Sequence, residues 1–259
     1  MGRRAADPGS GAGGRVRSRA VLSLAVPLGV TLCGLLALPF FLHYHLETDR
    51  ARQHALDGET RILELAQQAA VQEVASLLSD LRFLHEQNEM REFLRGDVPM
   101  ARERLAGEYL TFVSQKQRSE QAAVIGADGR EVGRVDGNDG RPALAAAPAL
   151  ESRGDCAHFQ ETMRLGRGEV HLSPLDLSLR GGAVQMPLSP VLRASVALFG
   201  PDGERRGVLT LSYHGRRLLT RLRAHAQGGP SQLWLLNEQG YWLAGPDPAL
   251  EWGFAFPER

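Results

Sequence analysis

From Ala20 to Leu42 the chain reads AVLSLAVPLGVTLCGLLALPFFL without one charged side chain. At about 1.5 Å of rise per residue, some 20 apolar residues cross hydrocarbon. Pro27, Gly29, Gly34 and Pro39 would weaken a helix in water. A bilayer offers the backbone no partner but itself, and membrane helices tolerate such residues. A cleaved secretory signal has a shorter apolar region ending in small residues, whereas this one ends in Phe40, Phe41 and Leu42. Arg3, Arg4, Arg15, Arg17 and Arg19 precede the run, opposed only by Asp7. By the positive-inside rule the N-terminus faces the cytoplasm, with residues 1–19 as a tail, 20–42 as the span and the remainder outside. The membrane is thus the first expected partner. The Gly-, Ala- and Ser-rich start of the tail reads as disordered.

The rest of the chain suffices for one ordinary domain and part of another. Thirty basic residues balance thirty acidic ones, so no overall field favours nucleic acid. Cys33 lies inside the span and Cys156 outside it, so the two cannot pair. Neither completes a metal or redox motif.

Beyond the span, Leu56, Leu63, Ala70, Leu77 and Leu84 recur every seven residues, with Val74 and Leu81 between the later ones. No proline interrupts residues 57–95, which predicts one long helix from Asp57 to Arg95. Its apolar stripe can pack on a sheet, pair with a second copy of the chain, or do both. Gly96, Asp97 and Pro99 end it, and a second helix follows from Met100 to about Arg118. Ala122–Ile125 and Glu131–Val135 around Asp128–Gly129 then read as a hairpin. A loop follows, then a short helix through Met163 on which Asp155 is an expected cap. Next come a strand over Glu169–Leu179, a hairpin of Arg193–Phe199 with Gly207–Tyr213, and a helix over Arg216–Ala226.

This order predicts an α+β fold, one antiparallel sheet with helices beside it. Near Pro230 a second unit begins with a hairpin of Leu233–Leu236 and Tyr241–Ala244. Trp252, Phe254 and Phe256 then arrive with nothing further to bury them, which predicts an unfinished second sheet.

The segments FLHEQNEMREFL (83–94), VSQKQRSEQAAVIGADGREVGRVDGNDGRP (113–142), FQETMRLGRGEVHLSPLDL (159–177), LRASVALFGPDGERRGVLTLSY (192–213) and LLNEQGYWLAGPDP (235–248) agree in order and spacing with one family. The chain resembles the periplasmic double Cache, PAS-like sensor region of bacterial receptors attached to diguanylate cyclases and sensor histidine kinases. The resemblance implies a stalk helix and membrane-distal sensor unit at 46–228 and a membrane-proximal unit begun at 229–259. A return span and an output domain would complete such a receptor. It also implies a small-molecule ligand between the sheet and the segment Asn138–Ser173. Relatives that bind amino acids carry an arginine and aromatics on the short helix and an aspartate on a later strand. Here Arg153 lies outside the expected position and Ser212 stands at the aspartate's place. The groups expected to face the pocket are Arg193, Asp155, His158, Phe159, Ser173, Asp176 and Tyr213. Arg193 leads them, because an arginine on an apolar strand forks onto a carboxylate or phosphate.

Other chemistry finds no support. Asp136, Asn138, Asp139 and Gly140 miss the calcium-loop spacing, with Ala147 where a glutamate belongs. His85 and Glu86 meet Glu89 where a second zinc-binding histidine is required. No nucleophile or phosphate-loop motif appears, and neither a cofactor nor catalysis is expected. The leading reading is an extracytoplasmic ligand-sensing input module, and the alternative is a membrane-anchored structural protein that pairs as a homodimer through its stalk.

Overall fold

The computed structural model describes residues 13–96, 98–116, 119–226 and 232–256. The expected N-terminal tail up to residue 12 and the second unit's start at Pro230 lie outside them. Contacts divide the chain into two compact units, Met1–Arg61 and Ile62–Arg259.

Helix α1 runs from Gly13 to His85. In the first unit it holds, from Pro27 on, an 18-residue window of mean hydropathy 1.5 of which nothing is buried. Leu28, Leu32, Phe40 and Phe41 are all exposed. By length and composition that stretch can cross a bilayer.

In the second unit Leu77, Leu81 and Leu84 of α1 are wholly buried. The helix does not continue to Arg95 as expected. It ends at His85, Gln87 takes an extended conformation, and α2 (Asn88–Arg95) starts in a new direction, closing on Gly96 at φ 98°. The stripe itself explains the break: its next positions are Asn88 and Arg91. The apolar residues there, Met90, Phe93 and Leu94, stand in a different phase and reach the core only from a separate helix. Helix α3 (Val98–Lys116) adds Leu105, Tyr109, Phe112 and Val113, which share one helical face.

The sheet comes next. Strands β1 (Ser119–Gly126) and β2 (Glu131–Asp136) form the expected hairpin, with β3 (Ala143–Leu144) beside β2. Helix α4 (Ala157–Arg164) precedes β4 (Val170–Leu172) and β5 (Asp176–Leu177). A small hairpin of β6 (Leu179–Arg180) and β7 (Ala183–Val184) leads to β8 (Pro190–Phe199) and β9 (Arg205–His214). The expected single strand over Glu169–Leu179 is thus in pieces, because Ser173 and Pro174 interrupt its pairing with β8. The main sheet has the order β3-β2-β1-β9-β8-β4, with β5 also on β8, and every pairing is antiparallel. Helix α5 (Gly215–Ala226) follows, then β10 (Leu235–Leu236) and β11 (Trp242–Ala244) as a two-stranded hairpin.

Alternation along the strands divides the sheet's two faces. Ala122, Val124, Val135, Leu192, Ala194, Val196, Leu209, Leu211 and Tyr213 meet α1, α2 and α3 in the main core. On the other face Phe159 of α4 packs on Ile125 and Val208. Trp252 corrects another expectation. It is 2% exposed, packed among Leu177, Leu219, Leu243 and Ala244, because β5 and α5 supply the apolar surface that its own hairpin lacks.

Candidate functional site

Cross-strand register sets the site. On the face away from α1, Asp136 of β2 pairs with Gln121 of β1, Gln121 with Ser212 of β9, and Ser212 with Arg193 of β8. Paired residues point to the same side, so these four make one polar row across the sheet. The next row is Arg134, Ala123, Thr210, Ser195 and His171, in which the Ser195 and Thr210 hydroxyls lie 3.0 Å apart. Beyond it the face turns apolar at Ile125 and Val208, and there Phe159 covers it. The Asp136–Gln121 end of the polar row lines an open cavity of about 410 Å³, within the range of small-molecule pockets, whereas Ser212 and Arg193 are not among the lining residues. Gln121, Arg134, Asp136, Arg153, Ser189 and Arg216 are among its lining residues.

One wall is an ion-pair network around Glu131, whose side chain is 1% exposed. Arg134 Nη1 donates to it at 2.8 Å, Arg153 Nε at 3.0 Å and the Glu151 amide at 3.0 Å. Arg134 Nε also reaches Asp136, which accepts from Gln121 Nε2 at 3.0 Å. Burying a carboxylate this deeply is tolerable because every direction of its charge is answered. The segment bearing Arg153 docks through glycine: the Arg153 amide donates to the Gly129 carbonyl at 2.7 Å. Gly129 sits at φ 79°, and a Cβ there would lie 2.6 Å from the Gly154 Cα.

Glu120 lines the same cavity. Strand β1 has a register shift between Ser119 and Gln121, and this bulge leaves Glu120 as the extra residue, lining the cavity. Ser189 Oγ donates to its Oε1 at 3.2 Å, while its Oε2 is buried without a partner among the described residues. Burial raises the Glu120 pKa above its ordinary value; bonds from Ser178 and Ser189 and the charge of Arg193 oppose this.

Arg193 is part-buried, and among the described residues its guanidinium has neither a hydrogen bond nor an ion pair. Burial lowers its pKa, Glu120 and Asp176 pull it back up, and Arg153 adds to the lowering. The acids of the Glu131 network are each engaged, whereas this cation is not.

The other expected residues are scattered around the sheet. His158 is half-buried on α4, its pKa lowered to about 4 by burial first and then by Arg193, Arg153 and His171. Phe159 belongs to the apolar cover. Ser173 and Asp176 bracket the strand break: Ser173 Oγ accepts from the Arg193 amide at 3.1 Å, and Asp176 is exposed but near enough to act on Arg193 electrostatically. Asp155 is exposed and does not cap α4, since Cys156 occupies the cap position without a side-chain bond. Tyr213 stands on the far face: it pairs with Leu192, not Arg193, and its hydroxyl donates to Asp80 of α1. Its place in the core removes it from the cavity wall.

Glu120, Gln121 and Arg134 are wall residues that the sequence did not single out, while Asp136 and Arg153 were weighed there for other roles and set aside. The only signal was the register of the β1–β2 hairpin, which puts Gln121, Arg134 and Asp136 on one face. Among the described residues no group of three or more His, Cys, Asp or Glu could hold a metal ion. The cavity wall is built of fixed charges and hydrogen-bond groups.

The model of the bacterial histidine kinase sensor domain matches residues 59–259. The chain belongs to the bacterial histidine kinase sensor domain family. Comparison with curated proteins finds no significant match. Among solved structures, this sensor domain is similar to a domain of a sensory box/GGDEF family protein from Vibrio parahaemolyticus. The TM-score is 0.65 at 19% identity, over 80% of this chain and 76% of that one. The extracellular domain of the histidine kinase-type protein vpHK1S-Z8 gives 0.65 at 18%, over 78% and 72%. The ligand-binding domain of the Campylobacter jejuni chemoreceptor Tlp3, in complex with L-norvaline, gives 0.56 at 12%, over 78% and 75%. At such identities the likeness carries the fold of the sensor domain and nothing about its ligand.

Proposed function

We propose that this sensor domain stands outside the cytoplasm, held by α1 in the cytoplasmic membrane with its N-terminus inside. There it recognises a small anionic molecule in the cavity beside the Asp136–Gln121–Ser212–Arg193 row. Its work is recognition and not catalysis. The observation that carries this reading is Arg193, a part-buried guanidinium without a hydrogen bond or ion pair among the described residues, within electrostatic reach of the cavity-lining Glu120. A carboxylate or phosphate on the ligand would complete it with a forked pair of charge-assisted bonds. Binding then favours whichever arrangement of sheet and helices grips the ligand better, and so shifts the receptor's equilibrium.

The test is a metabolite screen by calorimetry on the full chain in lipid nanodiscs, with L-norvaline among the first compounds because Tlp3 was solved with it. Arg193→Ala should weaken any anionic hit by roughly tenfold or more. An unchanged affinity would remove Arg193 as the anchor. Alkaline phosphatase fused after residue 259 should be active in intact cells, and an inactive fusion would reverse the orientation.

A second reading rests on Leu56, Leu63 and Val71, which lie exposed along α1. Pairing of two copies through this helix would cover them, and light scattering of the solubilised chain should then give twice the monomer mass. A monomer at all concentrations would discard it.

A further inference from the structure

Helix α5 has four attachments, each to a different part of the unit. At its start, Gly215 is pressed on Pro190 and Leu175 so closely that a Cβ would lie 2.5 Å from Leu175 Cδ1. Next to it Arg216 donates to the Leu188 carbonyl at 2.9 Å, and Arg216 and Arg217 line the cavity. Strand β9 enters the helix directly, with Ser212 in the polar row and Tyr213 bonded to Asp80 on the reverse face. Along its length Leu218 and Leu222 pack on Ala66 of α1, while Leu219 packs with Leu243 and Trp252 of the terminal segment. Both packed sides carry an ion pair. Arg221 Nη1 lies 3.0 Å from Glu73 Oε2 of α1, whose side chain is 5% exposed. Arg223 pairs with Glu251, which also accepts from the Gly245 amide at 3.0 Å.

A buried carboxylate that loses its partner is costly, so each pair resists slippage between α5 and its neighbour. A helix fixed in this way moves with its partners or not at all. We propose that α5 is the coupling element of this domain. A change in the cavity walls that displaces the β9–α5 junction is passed to α1 through Arg221–Glu73 and to the terminal hairpin through Arg223–Glu251. Tyr213–Asp80 is the fulcrum where β9 meets α1. The cavity's part in sensing rests on the function proposed above, but the mechanical link does not.

Coupling is reciprocal, so it is testable from the far end and without a ligand. Hydrogen exchange of the full chain in nanodiscs would be followed by mass spectrometry for Arg221→Gln and Arg223→Gln. Neither residue lines the cavity, yet both variants should quicken exchange of the cavity-wall segments 131–136 and 185–190 by about threefold or more. Arg221→Lys, which keeps the charge, should restore the rate. Arg206→Gln, which breaks an exposed pair with Asp202 at the β8–β9 turn, should leave those segments unchanged. Quickening confined to residues 66–80 and 215–226 would overturn the coupling. So would an equal quickening of every segment with a lowered melting temperature, since that reports lost stability alone. A domain that shows the coupling but binds no metabolite would refute the ligand reading and leave this one standing.

Discussion

At the scale of single residues, the fold biases the protonation of two groups in opposite directions, Glu120 on the cavity wall and His158 on α4. Glu120 has its pKa raised by burial above the ordinary 4.5. Its neutral form is favoured in the fold, so the stability it contributes is full below the unfolded value and is lost as pH rises through the folded one. His158 is lowered from 6.5 to about 4, so its contribution is present above 6.5 and is lost as pH falls toward 4. Melting temperatures measured across this range should show Glu120→Gln removing a fall on the rising side, and His158→Gln removing a fall on the acid side. Curves parallel to the wild type would mean that neither group is biased. The sequence made His158 visible, since an imidazole on a short helix near a pocket stands out. Glu120 was hidden, because a bulge that inserts one residue leaves no mark in composition or alternation. Tyr213 went astray for a different reason. The alternation of Leu209, Leu211 and Tyr213 with Thr210 and Ser212 already sets it on the core face, and its ring was counted with the pocket despite that pattern.

At the scale of elements, the β1–β2 turn does two tasks. It closes the hairpin through the Asp128–Gly129 pair, which the sequence displays, and it receives the segment before α4, which the sequence does not. Gly129 meets Gly154 with no room for a side chain, and the contact sets where Arg153 meets Glu131. Gly129→Ala forces a left-handed residue to carry a Cβ, a cost of about 1–2 kcal/mol, and must also push residues 151–153 away. The expected outcome is a lower melting temperature together with weaker binding of any ligand that leans on Arg153. A variant as stable as the wild type would show that the segment relaxes at no cost. Long-range docking of one loop on another is invisible to periodicity. The break between α1 and α2 was not foreseen either, since the absence of proline over residues 57–95 was read as one unbroken helix. The heptad stripe lapses at Asn88 and Arg91, and proline is not required to end a helix whose apolar face has run out.

At the scale of the whole molecule, the second unit begins within α1 at Ile62 and extends to Arg259. The sequence set a second unit to begin near Pro230 and read Trp252, Phe254 and Phe256 as arriving with nothing further to bury them. Composition shows where a hairpin ends but not which earlier strand or helix it packs on. Here Trp252 fills a site made by Leu177 of β5, Leu219 of α5 and Leu243 of β11, and Arg223 of the same helix pairs with Glu251 of the terminal segment. Burial of that indole ties the terminal hairpin to the sheet that carries the cavity, and the two should therefore unfold together. Trp252→Ala should cost about 3–5 kcal/mol. Calorimetry of the full chain should show the loss as a single transition of residues 62–259 moved to lower temperature. An early, separate transition for the hairpin, with the sheet melting where it did before, would mean that the two are independent bodies. In that case Arg223–Glu251 would be a contact between them and no part of a common frame.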